Sequence, residues 1–182
     1  MSKDTREEET NLISGCVLKS RKDQERLYKK YYGYVMAIGM AYCTNKDVAR
    51  EVVDDAFIKI FDSIDSFDRN QSFKGWVRRI TINCAIDEFR RNKKHLYHLD
   101  ISECPLDLPA VDLLDQLNID DIHNLLGELP EILRTVFNLY EIEGYNHKEI
   151  SEFMGIGESS SRTYLARAKE RLRSMVTRHF NQ

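Results

Sequence analysis

The segments that would place this chain in a membrane, outside the cell or among the enzymes are missing from it. No apolar run approaches the ~20 residues needed to cross a bilayer. The polar, acidic opening MSKDTREEETN has neither the apolar segment nor the small-residue cleavage site of a signal peptide. These absences predict a cytoplasmic protein with no membrane insertion. The cysteines Cys16, Cys43, Cys84 and Cys104 are widely spaced and include no CxxC pair, which argues against a zinc knuckle, a redox motif or a disulfide framework and predicts buried free thiols. His95 and His98 stand near Cys104, but no second close pair of Cys or His completes a ligand set, so neither metal nor cofactor is expected. HExxH, P-loop and GxSxG motifs and paired carboxylates with converging bases are absent too, and nothing asks for an active site.

Lys and Arg are absent between His95 and Asp121, where Asp100, Glu103, Asp107, Asp112, Asp115, Asp120 and Asp121 accumulate. On one side of this gap lie Lys74, Arg78, Arg79, Arg90, Arg91, Lys93 and Lys94, opposed only by Asp87 and Glu88. On the other lie Arg162, Arg167, Lys169, Arg171, Arg173 and Arg178, opposed only by Glu170. The net charge of −3 therefore hides two basic modules joined by an acidic connector. Such asymmetry bears on partners and steering rather than on fold.

Strand-like alternation is absent at any length, and helical period fills the space outside the connector. Leu27, Tyr31, Tyr34, Val35, Ile38 and Tyr42 recur at spacings of three and four. TNKD at 44–47 breaks that helix, and Asn45 is a candidate cap for the next, which carries Val48, Val52, Ala56, Ile60 and Ile64. DSFDRNQS is a polar loop, and Ser72 is placed to cap a long helix through Trp76, Ile80, Cys84 and Phe89. Trp76 keeps helical spacing with Ile80 and is expected in the core. ECPLDLPA is the clearest linker, because proline and the residue before it disfavour helix. The chain is expected to be all-α, with two small helical domains at 10–95 and 121–178 and a linker at 96–120.

Beyond the linker, Ile122, Leu125, Leu126 and Leu129 predict a short amphipathic helix, and Pro130 suits the first turn of the next, which carries Ile132, Leu133, Val136, Phe137 and Tyr140 on one apolar face. Asn146 and Glu149 are spaced as a capping box, before a helix burying Ile150, Phe153 and Met154. Gly155 then supplies a tight turn, Ile156 fills the angle, and Ser159 or Ser160 is placed to cap a last helix. Leu165, Ala168 and Leu172 fall on one side of that helix, with Arg162, Thr163, Ala166 and Arg167 on the other. This is the pattern of a DNA-reading helix-turn-helix, with short polar side chains where backbone nears phosphate and arginines further along.

The stretch LGELPEILRTVFNLYEIEGYNHKEISEFMGIGESSSRTYLARAKERLR resembles region 4 of the extracytoplasmic-function (ECF), or group 4, sigma-70-type RNA polymerase sigma factors. DVAREVVDDAFIKIFDSIDSF followed by FKGWVRRITINCAIDEFRR is similar to their regions 2.1 to 2.4. The resemblance implies two helical domains, the first docking on the β′ clamp helices of core RNA polymerase through Asp54, Asp55, Phe57, Ile58 and Phe61, although Phe57 or Phe61 is also expected as core. It implies that promoter −10 DNA is melted and read by Arg69, Asn70, Gln71, Ser72, Lys74, Arg78, Arg79, Asn83, Arg90 and Arg91. The −35 duplex falls to Arg162, Thr163, Ala166 and Arg167, with Ser159, Ser160 and Arg171 near phosphate. Many members carry Val where this chain has Ser161, so a slightly weaker helix packing is expected there. Further partners implied are the β flap of the polymerase, an anti-sigma factor and an auxiliary DNA-targeting recruiter.

The residues alone leave one rival: a one-component regulator whose C-terminal helix-turn-helix acts without polymerase. The basic block from Lys74 to Lys94 argues against it, since a sensor domain needs no second nucleic-acid surface.

Overall fold

The computed structural model describes residues 3–43, 45–92 and 125–180. The linker at 96–120, Lys93, Lys94, the candidate ligands His95, His98 and Cys104, and Ile122 lie outside them. All regular structure among the described residues is helical, and the chain divides into two compact units, Met1–Asp87 and Glu88–Gln182. The division falls within a helix rather than at residue 95.

In the first unit, α1 (Lys3–Val17), α2 (Arg21–Tyr42) and α3 (Lys46–Ser63) pack side by side, a 3-10 turn (Ile64–Ser66) follows, and α4 (Phe73–Asn92) begins in this unit. Leu27, Val35, Val52, Val53, Ala56 and Ile60 are at most 1% exposed, so the periodic apolar stripes of α2 and α3 do form the core. Tyr34 and Val48, expected in those stripes, are only half-buried at their edges. Gly39 brings the helices together: a Cβ there would stand 3.3 Å from the Ala49 carbonyl oxygen. Asn45 caps α3 by accepting from the N–H groups of Asp47 and Val48, both at 3.0 Å. The Ser72 hydroxyl accepts from the Gly75 N–H at 3.2 Å, as a cap of α4 should. Cys16, Cys43 and Cys84 are buried free thiols.

In the second unit a helical turn at 125–127 precedes α5 (Glu131–Phe137), α6 (His147–Met154) and α7 (Glu158–Phe180). Leu125, Leu126, Leu129, Val136, Leu139 and Ile150 are buried, as are Leu165, Ala168, Leu172 and Val176 of α7. Between α5 and α6 the chain widens into a π-helical segment, Asn138–Ile142, closed by the Glu143 N–H on the Asn138 carbonyl at 3.0 Å. The wider turn shifts the phase of the apolar face, so Tyr140, expected inside, is instead 36% exposed. Phe153 likewise lies half-buried, stacked on Tyr145 at 5.6 Å.

The capping box at α6 is complete: the Asn146 side chain accepts from the Glu149 N–H at 3.0 Å, and the Glu149 carboxylate accepts from the Asn146 N–H at 2.8 Å. Gly155, at φ 63°, ends α6 in the left-handed conformation that disfavours a Cβ. The last helix starts earlier than expected. Its first backbone bond runs from the Ser161 N–H to the Gly157 carbonyl at 3.0 Å, which puts Ser159 and Ser160 inside the first turn rather than at the cap.

Replacing Asn146 with Ala removes one half of the capping box, and we expect a loss of about 1 kcal/mol from the C-terminal unit. Amide exchange at Ile150 and Met154 measures it; unchanged exchange would show that packing alone holds α6.

Candidate nucleic-acid and polymerase interfaces

Two buried aromatics, Phe67 and Phe73, bracket the polar loop 68–72. Their rings meet edge to face at 5.1 Å; Trp76 lies 5.3 Å from Phe67 and 5.6 Å from Phe73, half-buried in the same cluster, and Tyr31 completes it 5.3 Å from Phe73. With its two ends pinned inside, the loop turns Arg69, Asn70, Gln71 and Ser72 to solvent. Asp68 folds it from within. Its carboxylate accepts from the backbone N–H and side-chain amide of Asn70, each at 3.0 Å, and from the Gln71 amide at 3.3 Å. These bonds, the Asn70 N–H above all, hold the Asp68 carboxyl below its usual range.

Arg69 reaches from the loop to the Ser14 hydroxyl on α1 at 3.1 Å. Lys74 lies over the Tyr34 ring, 4.5 Å from its centroid. Along α4, Arg79 is exposed and Arg78 and Asn83 are half-buried; Arg90 and Arg91 are exposed, and Arg91 pairs with Glu88 at 2.6 Å. The loop and the first turns of α4 thus gather polar amides and cations on one unit.

On α3, Asp54 is exposed, Ile58 is 59% exposed, and Asp55 and Phe61 are half-buried. Phe57 is only 3% exposed, with its ring 4.4 Å from Tyr28 and 6.0 Å from Phe61. It belongs to the core of the bundle and supports the outer face of α3 rather than forming it.

On α7, Ser159, Arg162, Thr163 and Arg171 are exposed, while Ser160, Ala166 and Arg167 are half-buried. Arg162 pairs with Glu158 at 2.5 Å, one turn back, and the Thr163 hydroxyl donates to the Ser159 carbonyl at 3.0 Å. Ser161 faces inward and is fully buried, and its hydroxyl shares a 3.0 Å hydrogen bond with Nδ1 of His147. The hydroxyl thus ties the first turn of α6 to the first turn of α7. The His147 ring in turn stacks on Tyr140 at 4.6 Å. No group of residues suited to holding a metal ion occurs among the described residues, and none of their helices is long and apolar enough to cross a membrane.

The family model for Sigma-70 region 2 matches residues 27–95, and that for Sigma-70 region 4 matches residues 119–172. The ECF RNA polymerase sigma factor SigW of Bacillus subtilis is 31% identical over 147 residues, which cover 72% of this chain and 77% of that one. The chain belongs to the ECF family of RNA polymerase sigma factors. SigM of Bacillus subtilis (27% identity over 159 residues, 86% of this chain and 97% of that one) and the ECF sigma-E factor of Haemophilus influenzae (28% over 166 residues, 82% and 85%) are similar along nearly the same length.

As an ECF sigma factor the protein is a non-catalytic initiation factor that acts with core RNA polymerase to direct promoter-specific transcription. Ser161, where the sequence predicts only a slightly weaker helix packing, carries the bond to His147. The signal for their bond was the separation of fourteen residues across a helix-turn-helix, which becomes a contact only once the angle of the turn is known. Desolvation first, then the Arg162 charge and more weakly Lys169, push the His147 imidazole below its usual range against the opposing pull of Glu158. A histidine depressed on folding favours the folded state while neutral. Its contribution is complete above the unfolded value of about 6.5 and is lost as pH falls through the lower folded value.

We therefore expect amide exchange in α6 and the first turn of α7, corrected for intrinsic rates, to rise as pH falls below about 6.5, and His147→Gln to flatten that rise. An equal rise in both proteins would assign the effect to other groups.

Proposed function

We propose that the two units divide the promoter between them through the residues described above, with region 2 over 10–95, a connector over 96–120 and region 4 over 121–178. The observation that carries this reading is the presence of a separate outward-facing polar and cationic surface on each unit: the loop and the first turns of α4 on one, the first turns of α7 on the other. A regulator with a single DNA reader has no use for the first of these.

In region 2, Asp54 and Ile58, with Asp55 and Phe61 beside them, form an apolar and acidic face on α3 that suits a basic partner helix such as the β′ clamp helices. Arg69 to Ser72 and Asn83 offer the amides and hydroxyl that an unpaired base requires, while Lys74, Arg78, Arg79, Arg90 and Arg91 serve the phosphates of the −10 strand. In region 4, the left-handed turn at Gly155 sets the angle of α7, so Arg162, Thr163, Ala166 and Arg167 enter the major groove of the −35 duplex. Ser159, Ser160 and Arg171 stay near its backbone. The connector joins the two inside the polymerase, region 4 also meets the β flap, and an anti-sigma factor or an auxiliary DNA-targeting recruiter acts on these same faces.

Run-off transcription with core polymerase and genomic upstream fragments tests the whole reading. We expect discrete start sites that depend on the protein; DNA binding without any start site would favour the one-component regulator. Arg167→Ala is expected to relax sequence preference by ~1–3 kcal/mol at one −35 position, whereas equal loss on every sequence would make it a phosphate contact. Ile58→Asp is expected to weaken core-polymerase binding by about 2 kcal/mol with unchanged helical circular dichroism; full affinity would remove α3 from the docking face.

A further inference from the structure

The cavity beside the loop is lined in part by α1, which lies outside both matched regions. Its volume is about 760 Å³, within the range of small-ligand sites and ample for one nucleobase. Loop residues 69–72 form one side; Lys30, Tyr31 and Tyr34 of α2 and Glu9, Thr10 and Ile13 of α1 form another. Among the described residues its charged lining comprises the cations Lys30, Arg69 and Lys74 and a single carboxylate, Glu9.

That carboxylate is held in place. Its Oε1 accepts from the Tyr31 hydroxyl and lies 3.9 Å from Nζ of Lys30, and its side chain is only 20% exposed. Burial first, and then the bond to Glu9, push the Tyr31 hydroxyl up, so it remains a donor. Both contacts fall on Oε1, whereas a carboxylate can accept about four hydrogen bonds. A negative group in a cavity built to receive nucleic acid opposes phosphate and adds nothing to non-specific affinity, which Lys30, Arg69 and Lys74 supply. What it can do is discriminate between bases. An acceptor-only group favours a base that presents an exocyclic amine and opposes thymine, which has no amine and offers carbonyl oxygens on either side of its one ring N–H.

We propose that Glu9 of α1 is a specificity determinant for −10 DNA: it accepts the exocyclic amine of one extruded base and rejects thymine at that position. The α1 helix thereby becomes part of the promoter reader, fastened to the loop by the Arg69–Ser14 bond at 3.1 Å. The proposal rests on the reading that loop 68–72 takes up the −10 strand.

The test is open-complex formation by the full chain with core polymerase on promoters in which each −10 non-template position carries, in turn, each of the four bases. With the unaltered protein, thymine is expected to reduce open complexes roughly tenfold at one position against the best amine-bearing base. The isosteric Glu9→Gln, whose amide can donate to a carbonyl, is expected to erase that difference there and nowhere else. Tyr31→Phe, which removes the hydroxyl holding Oε1, is expected to shrink the same difference partially. Unchanged discrimination in Glu9→Gln, or a loss equal for all four bases, overturns the proposal, the second because it marks support of the loop rather than reading. A joint Asn70→Ala, Gln71→Ala variant separates the two levels. If it changes base preference where Glu9→Gln does not, only the role of Glu9 falls; if neither changes any preference, the loop reading falls with it.

Discussion

What the loop 68–72 presents to solvent depends on the burial of two phenylalanines at its two ends. Phe67 and Phe73 are drawn into the same cluster with Trp76 and Tyr31, so the residues between them have no freedom to sink inward. A five-residue polar segment pinned in this way cannot collapse onto the bundle, and its internal donors go to Asp68. Apolar burial here serves chemistry indirectly: a few ring contacts, each worth about 1 kcal/mol beyond their buried area, hold polar groups outward, where ordering them would otherwise cost conformational entropy.

The C-terminal unit solves the same problem with backbone conformation. A complete capping box fixes where α6 begins, a left-handed glycine fixes where it ends, and the His147–Ser161 bond joins the starts of α6 and α7. The exposed residues of α7 then have a defined direction because the buried ones do. In both units the outward-facing residues owe their direction to buried contacts behind them.

Much of this was legible in the residues. Helical period located the stripes of α2 and α3, and the spacing of Asn146 and Glu149 announced a cap that formed as expected. Trp76, expected in the core from its spacing with Ile80, is only half-buried, at the edge of the aromatic cluster. What could not be read depended on geometry between elements or on a change of period within one. The π-helical segment moved Tyr140 outward, because a pattern drawn at 3.6 residues per turn has no way to register an inserted wider turn. Phe57 sat in the same run of positions as Ile58, and only the packing of Tyr28 against it separated core from surface. Glu9 belonged to an acidic opening stretch with no apparent task until α1 folded along the bundle and carried it to the cavity wall.

The three buried thiols carry a consequence of their own. Cys16, Cys43 and Cys84 all lie in the N-terminal unit, and burial, with Asp23 nearby, pushes the Cys16 thiol to about 11 while burial also raises that of Cys84. Thiolate is the reactive form, so burial shields all three sulfurs from access, and Cys16 and Cys84 are shielded again by lack of charge. They become alkylatable only when the bundle opens. The unit thus carries a built-in chemical clock for its own breathing, and its rate of labelling would count the openings of the N-terminal helical bundle in a living cell.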